Sequence, residues 1–440
     1  METVISVKSH ASQEGAELFQ SLQPDPSWAF LHLTQRETNY ATHGYHRYPA
    51  KFIPQLAARL IQELSCEGEW VLDPFMGSGT ALVEAKRLRR PSIGVDINPV
   101  AYWVAQAKVN AIEPERLKRA ILQVLTAVPG SQPDLFGSQP QDAIEEFHER
   151  LRYWFPPQSL RALRAIHEAI EGLPADDLKV FFRCALSHCL KPLSYWHDRS
   201  VKPTRKLSRR IPDARRVFAT HVKRMERGNR EFWEILTANH ALEVPALPSC
   251  ADARTLPAEE NTVSLVVTSP PYVTSYEYAD LHQLSVLWFG ATTDLRSFRK
   301  GFIGRSNGIE SCPQPMGSPL AERIIQQLGE RNPRKASECA LYFAEMYQCF
   351  TEMRRVLKQG GAVAIVIGNT HISGVEIQNA QVFAEQLSGL GFALERVILR
   401  EIPSKILPRT RDSKTGKFAR VSEADYVAYP TEYILILRKR

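Results

Sequence analysis

The chain has 440 residues and a formal net charge of +7, and its 44% hydrophobic and 23% charged residues are typical of a globular protein with more than one domain-sized unit. No apolar run approaches the roughly 20 residues needed to span a bilayer, and the first residues lack the basic and then apolar pattern of a signal peptide, so we expect neither a membrane protein nor a secreted one. Seven cysteines without a CxxC pair favour free thiols in a reducing cytoplasm and no structural zinc.

The first strongly patterned part of the chain lies between residues 53 and 110. Residues 1–40 show no strong periodicity and are expected to form an arm or a short capping helix. The spacing of apolar residues then predicts alternating helices and strands, at 53–64, 70–72, 81–88, 92–96 and 99–110. A strand, a Gly-rich turn, a helix and a second strand that ends in an acid are typical of the first half of a nucleotide-binding βαβ unit.

This regular alternation stops after residue 112. Residues 128–142 are rich in Pro, Gly, Ser and Gln and predict a loop, whereas 143–190 and 214–236 have helical patterns. A basic stripe from Arg199 to Arg230 carries 12 Lys and Arg against 2 Asp and Glu, which gives a local charge of +10. Such a stripe is typical of a surface that binds a polyanion, although a solvated helix face would have the same composition.

The α/β pattern resumes near Ala251. Residues 263–267 predict a buried strand, and the Gly-, Pro- and Ser-rich stretch 299–335 predicts a long loop over a site. Further helices and strands are predicted at 341–357, 362–367, 380–387, 392–399 and 433–437. We therefore interpret the middle of the chain as a helical insertion within an α/β domain.

The first motif follows the first predicted strand and reads Asp-Pro-Phe-Met-Gly-Ser-Gly-Thr at 73–80. Gly77 and Gly79 permit a tight turn whose backbone approaches a ligand without Cβ clashes, and the helix that follows offers free N–H groups. Asp73 can accept a hydrogen bond from an ammonium or hydroxyl group, and Asp96 at the next strand end matches a vicinal diol such as that of ribose. A turn whose glycines serve only packing would also contain GxG, but the complete motif is far more specific.

The second motif, Thr-Ser-Pro-Pro-Tyr at 268–272, follows the buried strand. Consecutive prolines have no N–H for a sheet ladder and fix a stiff turn. Outward carbonyls and the Ser269 hydroxyl can accept hydrogen bonds from an exocyclic amine, and Tyr272 offers a flat face for an extruded base. A proline turn with a packing tyrosine would look the same in isolation, but the presence of the first motif favours a site.

Together these motifs resemble those of the amino-group DNA methyltransferases, the S-adenosylmethionine-dependent enzymes of bacterial and archaeal modification systems that methylate N4 of cytosine or N6 of adenine. The resemblance covers about 41–112 and 246–440. It implies an α/β, Rossmann-like class I methyltransferase sheet with helices on both faces, interrupted by a helical insertion domain. It also implies base flipping and direct in-line transfer. Because Ser before the two prolines is more typical of the N4-cytosine members, cytosine N4 in a specific DNA sequence is the favoured target.

The resemblance further implies roles for individual residues. The segment 46–52 resembles one that touches the methionine part of the cofactor, and 249–253 resembles a turn whose acid bonds the adenine amino group. The implied S-adenosylmethionine site comprises Tyr48, Lys51, Asp73, Phe75, Gly77, Gly79, Thr80, Asp96 and Asp252. The implied catalytic residues are Ser269, Pro270, Pro271 and Tyr272, with the Ser269 hydroxyl and the Pro270 carbonyl as acceptors for the target amine.

The order of the motifs implies four parts: an arm at 1–40, a cofactor-binding part at 41–112, a basic insertion for target recognition at 113–245, and a catalytic part at 246–440. DNA is the expected partner, a cognate restriction endonuclease is a further candidate, and no membrane partner is expected. The expected DNA contacts from the basic stripe are Arg199, Lys202, Arg205, Lys206, Arg209, Arg210, Arg215 and Arg216.

Three alternatives remain open on the sequence. N6-adenine methylation is the nearest, because the serine rule has exceptions. RNA or protein-glutamine methyltransferases share a similar turn but more often carry Asn or Asp before the prolines. A catalytically silent DNA-binding regulator would be expected to lose motif residues that are present here.

Two other classes of enzyme are disfavoured by motifs that the sequence lacks. The lack of a Pro-Cys pair argues against the cysteine nucleophile of carbon-5 cytosine methyltransferases, and the lack of GxxxxGK[ST] argues against an ATPase.

Overall fold

A computed structural model describes residues 19, 21–49, 53–128, 145–198, 200, 202–273, 278–305, 315–402, 410–411, 426–427 and 431–440. The strands are β1 Val71–Asp73, β2 Ser92–Asp96, β3 Ala246–Cys250, β4 Val263–Thr268, β5 Leu357–Ile367, β6 Thr370–Ile372, β7 Val375–Ile377, β8 Phe392–Glu401, β9 Thr410–Arg411, β10 Tyr426–Val427 and β11 Thr431–Lys439. Seven of these strands form one sheet in the order β3-β2-β1-β4-β5-β11-β8, and β6 with β7 and β9 with β10 form two small hairpin-like pairs.

The centre of the sheet brings together strands that are distant in sequence. Strand β1 is parallel to both β2 and β4, with Val71 beside Leu265 and Leu72 beside Val266, while β11 is antiparallel to β5 and β8. The strand order therefore reverses between β1 and β4, and such a reversal opens a crevice at the carboxyl ends of the strands. The two motifs follow these two strands, so both emerge at the crevice.

The helices are α1 Pro54–Leu64, α2 Thr80–Arg87, α3 Pro99–Val109, α4 Pro114–Ala127, α5 Glu149–Trp154, α6 Pro157–Glu171, α7 Asp176–Leu190, α8 Ala214–Ala238, α9 Tyr278–Leu281, α10 Gln283–Trp288, α11 Leu295–Lys300, α12 Pro319–Arg331, α13 Pro333–Val356 and α14 Asn379–Gly389. Short 3-10 helices occur at Pro26–Trp28, Glu37–Asn39 and Ala41–Gly44. No helix in the ranges given above is long and apolar enough to cross a membrane.

Alternating side chains of the sheet form two cores. Val363 and Ile365 of β5 pack with α13 and α14 on one face, whereas Ala364 and Val366 pack with α1 on the other. This alternation follows from the two-residue period of a strand, and a strand covered on both faces is apolar throughout. The α/β, Rossmann-like sheet with helices on both faces that the sequence predicts is thus confirmed.

Helices α4 to α8 form the middle of the chain and pack on α3. Val100 and Val104 of α3 share one apolar core with residues from each of these helices. Asn229 of α8 ties this layer to the α/β part, since its side-chain amide donates to the Ile112 carbonyl at 2.6 Å and its oxygen accepts from the Ile112 N–H at 2.9 Å. The helical layer is therefore fastened to the α/β part at Ile112, directly before α4.

Four sequence-based expectations differ from the structure. The stretch 299–335, expected to be a loop, contains α12, which a Ser318 cap and a proline in its first turn begin. Helix α13 begins at Pro333 rather than at residue 341, and β5 begins at Leu357 rather than at residue 362. Strand β3 was not expected, because this half-exposed edge strand, with a proline at 248, lacks a clear apolar pattern.

Candidate functional site

The first motif forms a tight loop between β1 and α2. Gly77 and Gly79 have φ values of +48° and +73°, in the left-handed region that favours glycine. A Cβ atom on Gly79 would lie 2.8 Å from the Cβ of Ala105, and one on Gly77 would lie 3.1 Å from the Tyr48 ring. Both backbone angles and close packing therefore require glycine at these positions.

Asp73 joins the ends of the two central strands. Its Oδ1 accepts a hydrogen bond from the Thr268 hydroxyl at 2.7 Å and another from the Phe75 N–H at 3.1 Å. The side chain is buried, and burial raises the pKa of its carboxyl to about 7, against the effect of these hydrogen bonds. Asp73 thus lies behind the cavity described below and fixes the glycine loop to Thr268, the residue that precedes Ser269.

Asp96 organises the same loop from the end of β2. Its Oδ2 accepts from the Gly77 N–H at 3.0 Å and its Oδ1 from the Asn98 N–H at 2.8 Å. Burial raises the pKa of its carboxyl to about 6, while the two backbone hydrogen bonds lower it. Each carboxylate oxygen retains acceptor capacity. Because Asp96 lines the cavity described next, it can accept further hydrogen bonds from a ligand.

One cavity of about 1080 Å³, including its open mouth, contains most of the expected site residues. Its wall includes Tyr48, Phe75, Gly77, Thr80, Asp96, Asp252, Ser269 and Pro271. Gly79 and Asp73 support this wall without lining it, and Pro270 is buried. Tyr272 lies beside Gly368, where a Cβ atom would be 3.3 Å from its ring. Lys51 is outside the described residues.

The second motif is held by a contact that the sequence does not suggest. The Tyr342 hydroxyl, on α13, donates to the Pro271 carbonyl at 2.8 Å. Ser269 remains partly exposed to the cavity. The proline turn is thus held at Pro271 by the Tyr342 hydroxyl and at Thr268, the residue before Ser269, whose hydroxyl donates to Asp73. A turn held at both ends keeps its acceptor groups in place before a substrate arrives.

Asp252 lies at the other end of the cavity and is strongly paired. Arg254 donates to both of its oxygens, the shortest contact being 2.6 Å. Although burial acts to raise it, the pKa of the Asp252 carboxyl is below its usual value because of these hydrogen bonds. Arg254 also donates to Glu345 at 2.7 Å, and Arg305 donates to the same Glu345 oxygen at 2.8 Å. Asp252 is therefore oriented by a hydrogen-bond network that extends to Arg305, in the part of the cavity wall formed by residues 301–305.

Glu345 is the residue of this network that sequence reasoning missed. It is 4% exposed, and its second oxygen is buried without a hydrogen-bond partner within the described part of the chain. A glutamate on the buried side of the amphipathic helix α13 is the signal that could have revealed it, since acids are seldom buried unless they are paired. Its partners Arg254 and Arg305 carry no recognisable motif.

The basic stripe separates into exposed and engaged residues. Arg209 pairs with Asp198 at 2.6 Å, Arg215 donates to the Leu125 carbonyl at 2.9 Å, and the Arg205 guanidinium lies 4.0 Å from the centre of the Tyr153 ring. These three arginines thus contact other residues of the helical layer, which leaves them less available to a partner than the exposed members of the stripe. The exposed members are Lys202, Lys206, Arg210 and Arg216, and Arg199 is outside the described residues.

Comparisons with known proteins agree with this geometry. The N6/N4 methyltransferase family model, described as DNA methylase, matches residues 6–107 and 263–440 and leaves the region between them unmatched. The chain is 26% identical over 431 residues to the Type II methyltransferase M.MvaI of Kocuria varians, covering 93% of each protein. It is 24% identical over 412 residues to the Type II methyltransferase M.BsoBI of Geobacillus stearothermophilus, covering 77% of this chain and 76% of that protein.

The solved structures that resemble the chain include the following two. A SAM-dependent methyltransferase from Methanosarcina mazei is 9% identical, with a TM-score of 0.31, and the match covers 90% of this chain and 98% of that one. The rRNA methyltransferase aviRa of Streptomyces viridochromogenes is 14% identical, with a TM-score of 0.26, and the match covers 77% of this chain and 91% of that one.

Proposed function

The chain belongs to the N6/N4 DNA methylase family, and from this premise we propose that it methylates the exocyclic N4 of cytosine in a specific DNA sequence. S-adenosylmethionine is the methyl donor. The observation that carries the proposal is that Ser269 lines the same cavity as Asp96 and Gly77, with the Thr268–Asp73 hydrogen bond joining the two motifs behind it. The serine before the two prolines supports cytosine N4 over adenine N6 as the target.

The residues around the cavity fit this cofactor. Asp96 would hold the ribose hydroxyls and Asp252 the adenine amino group, while Tyr48 and the backbone of the glycine loop would contact the methionine part. The buried Thr80 hydroxyl has no hydrogen-bond partner within the described residues and adds an available polar group to this loop. The bound cofactor would supply an electrophilic methyl group.

The chain's own residues position the nucleophile. The amino group of cytosine is a poor nucleophile because its lone pair is delocalised into the ring. We infer that the Ser269 hydroxyl and the Pro270 carbonyl accept its two N–H groups and so localise the lone pair on nitrogen. The target base must leave the duplex, and stacking on Tyr272 offsets part of that cost. Positioning of this kind supplies several kcal/mol of barrier reduction.

The decisive experiment identifies the methylated base. DNA treated with the protein and S-adenosylmethionine is digested to nucleosides and analysed by mass spectrometry. We expect N4-methylcytosine. N6-methyladenine would instead assign the family's other reaction, and the absence of any methylated nucleoside from DNA containing many sequence contexts would contradict both. The relatives are named Type II methyltransferases, which supports the proposal of a role in restriction-modification. We further propose a cognate restriction endonuclease as partner and a cytoplasmic location.

We further propose that the insertion 113–245 recognises the target, with its exposed cations binding DNA phosphates. Replacing Lys202, Lys206, Arg210 or Arg216 by Ala is expected to reduce the slope of log affinity against log salt by about 1 for each phosphate that the variant no longer binds. The slope is measured by fluorescence anisotropy on duplex DNA. Arg215→Ala is the matched control, because this arginine bonds the Leu125 carbonyl and should lower thermal stability while the slope stays unchanged. Unchanged slopes in all four variants would place DNA binding elsewhere.

A further inference from the structure

A rigidly held leucine projects from the basic stripe. Leu207 is 63% exposed, which is high for a large apolar side chain in a folded protein. It lies at a corner of the turn Lys206–Arg209, in which the Arg209 N–H donates to the Lys206 carbonyl at 3.2 Å. The other corner, Ser208, is also exposed. The turn therefore presents one apolar group to solvent at its tip.

The ends of this turn are fixed, so Leu207 cannot fold back onto the protein without breaking several bonds. The Lys206 N–H donates to the Tyr195 carbonyl at 2.8 Å, and Trp196 pairs antiparallel with Arg205. The Arg209 guanidinium pairs with Asp198 at 2.6 Å and also donates to the backbone carbonyls of Lys191 and Ser194. The exposed position of Leu207 is therefore fixed by the hydrogen bonds and the ion pair that hold both ends of the turn.

The support of the turn is attached to the wall of the cavity. At the end of α7, the Ser187 hydroxyl lies 3.0 Å from the His46 ring, and His188 accepts from the Arg47 N–H at 3.3 Å. The chain from His46 continues directly to Tyr48, which lines the cavity. Lys191, whose carbonyl receives Arg209, follows His188 by three residues. The leucine turn is thus connected, through the end of α7, to the segment that leads to Tyr48 in the cavity wall.

The surroundings of Leu207 identify its partner. Lys206 and Arg210 flank it and are exposed, so the apolar tip stands among cations. Duplex DNA offers the matching chemistry, because phosphates line its outside and an apolar base stack lies within. We propose that Leu207 is a wedge that enters the base stack when the target base leaves it. The inference rests on the proposed function and assigns it a residue that opens the duplex.

The test compares Leu207→Ala with Leu122→Ala, a matched change of a leucine that is 70% exposed on α4 of the same insertion. Methyl transfer is measured on a normal duplex and on one with an abasic site opposite the target, where the base is already unpaired. We expect Leu207→Ala to lower kcat/KM on the normal duplex by about 10- to 100-fold and on the abasic duplex by less than about threefold. Leu122→Ala should match the wild type on both.

A second measurement separates this proposal from the proposed function. With 2-aminopurine at the target position, its fluorescence reports extrusion of the base without methyl transfer. Leu207→Ala should reduce the fluorescence increase seen with the wild type. An unchanged increase, or an equal loss of methyl transfer on both duplexes, would overturn the wedge. If the wild type methylates no DNA but extrudes 2-aminopurine in a manner dependent on Leu207, the proposed reaction fails and the wedge stands.

Discussion

Replacing Ser269 by Ala is expected to lower kcat by about 100-fold, while the affinity for S-adenosylmethionine stays within about threefold of the wild type. Ser269 lines the cavity, whereas the contacts of the cofactor loop are made by Asp96, Gly77 and their neighbours. Loss of an acceptor that acts on the reacting amine raises the barrier by about 2.7 kcal/mol, which corresponds to this factor. In the proposed arrangement, cofactor binding does not use that acceptor.

Single-turnover methylation measures the effect of the substitution on the methyl-transfer rate, and calorimetric titration with S-adenosylmethionine measures its effect on cofactor affinity. Ser269→Asn is the matched variant, because its side-chain carbonyl keeps an acceptor and should recover a substantial part of kcat. Wild-type turnover by Ser269→Ala would contradict the proposed role of the Ser269 hydroxyl in methyl transfer. An equal loss of turnover and of cofactor affinity would indicate a disturbed turn instead, which the Thr268 and Pro271 hydrogen bonds would then have failed to hold.

Replacing Asp96 by Ala is expected to weaken cofactor binding by about 100-fold or more. Hydrogen bonds to a charged group each contribute about 1.5–3 kcal/mol, and the proposed pair to the ribose diol would be absent from the variant. Two backbone hydrogen bonds, from Gly77 and Asn98, would disappear at the same time, so the glycine loop would also lose its support. Asp294→Ala, at an exposed helix cap, is the control and should bind the cofactor normally.

The pH dependence of binding gives Asp96 a second test. Its pKa is raised to about 6 by burial, so the carboxylate takes up a proton as the pH falls through that value. A protonated carboxyl accepts fewer hydrogen bonds. Calorimetry should therefore find that the wild type binds the cofactor less tightly at pH 5 than at pH 7.5. This difference should be smaller in Asp96→Ala, and an equally strong pH dependence in the variant would assign the titration to another group.

Much of the site could be predicted because its parts are short, contiguous runs of sequence. The glycine loop reads as a unit, since Gly77 and Gly79 need left-handed backbone angles that few other residues adopt. In contrast, the hydrogen bonds of Arg254 to Asp252 and Glu345 depend on side chains that only packing brings together, and the buried position of Glu345 on α13 is the one local signal of this network.

The number of charges in the basic stripe did not show which of its residues are exposed, and the structure explains why. The composition of the stripe treats Arg209 and Lys206 alike, yet the first pairs with Asp198 and backbone carbonyls while the second is exposed. A guanidinium has five donors and can serve as an internal brace, whereas the flexible amine of lysine more often remains in solvent. Edge strand β3 was likewise hidden, because it is half-exposed and has no clear apolar pattern. Helix α12 does have buried residues at helical spacing, Ala321, Ile324 and Leu328, but it lies in a stretch whose Gly, Pro and Ser content indicated a loop.

The Thr268–Asp73 bond spans 195 residues of sequence, and this separation has a consequence for biosynthesis. At translation rates of 5–20 residues per second, β1 waits roughly 10 to 40 s on the ribosome before its neighbour β4 has been made. During that interval the open edge of β1 is exposed to mispairing. The emerging helical layer, fastened at Ile112, can fold meanwhile as a local unit. We therefore expect a newly made chain to complete its central sheet only late in synthesis, after β4 and the strands that follow it have been made.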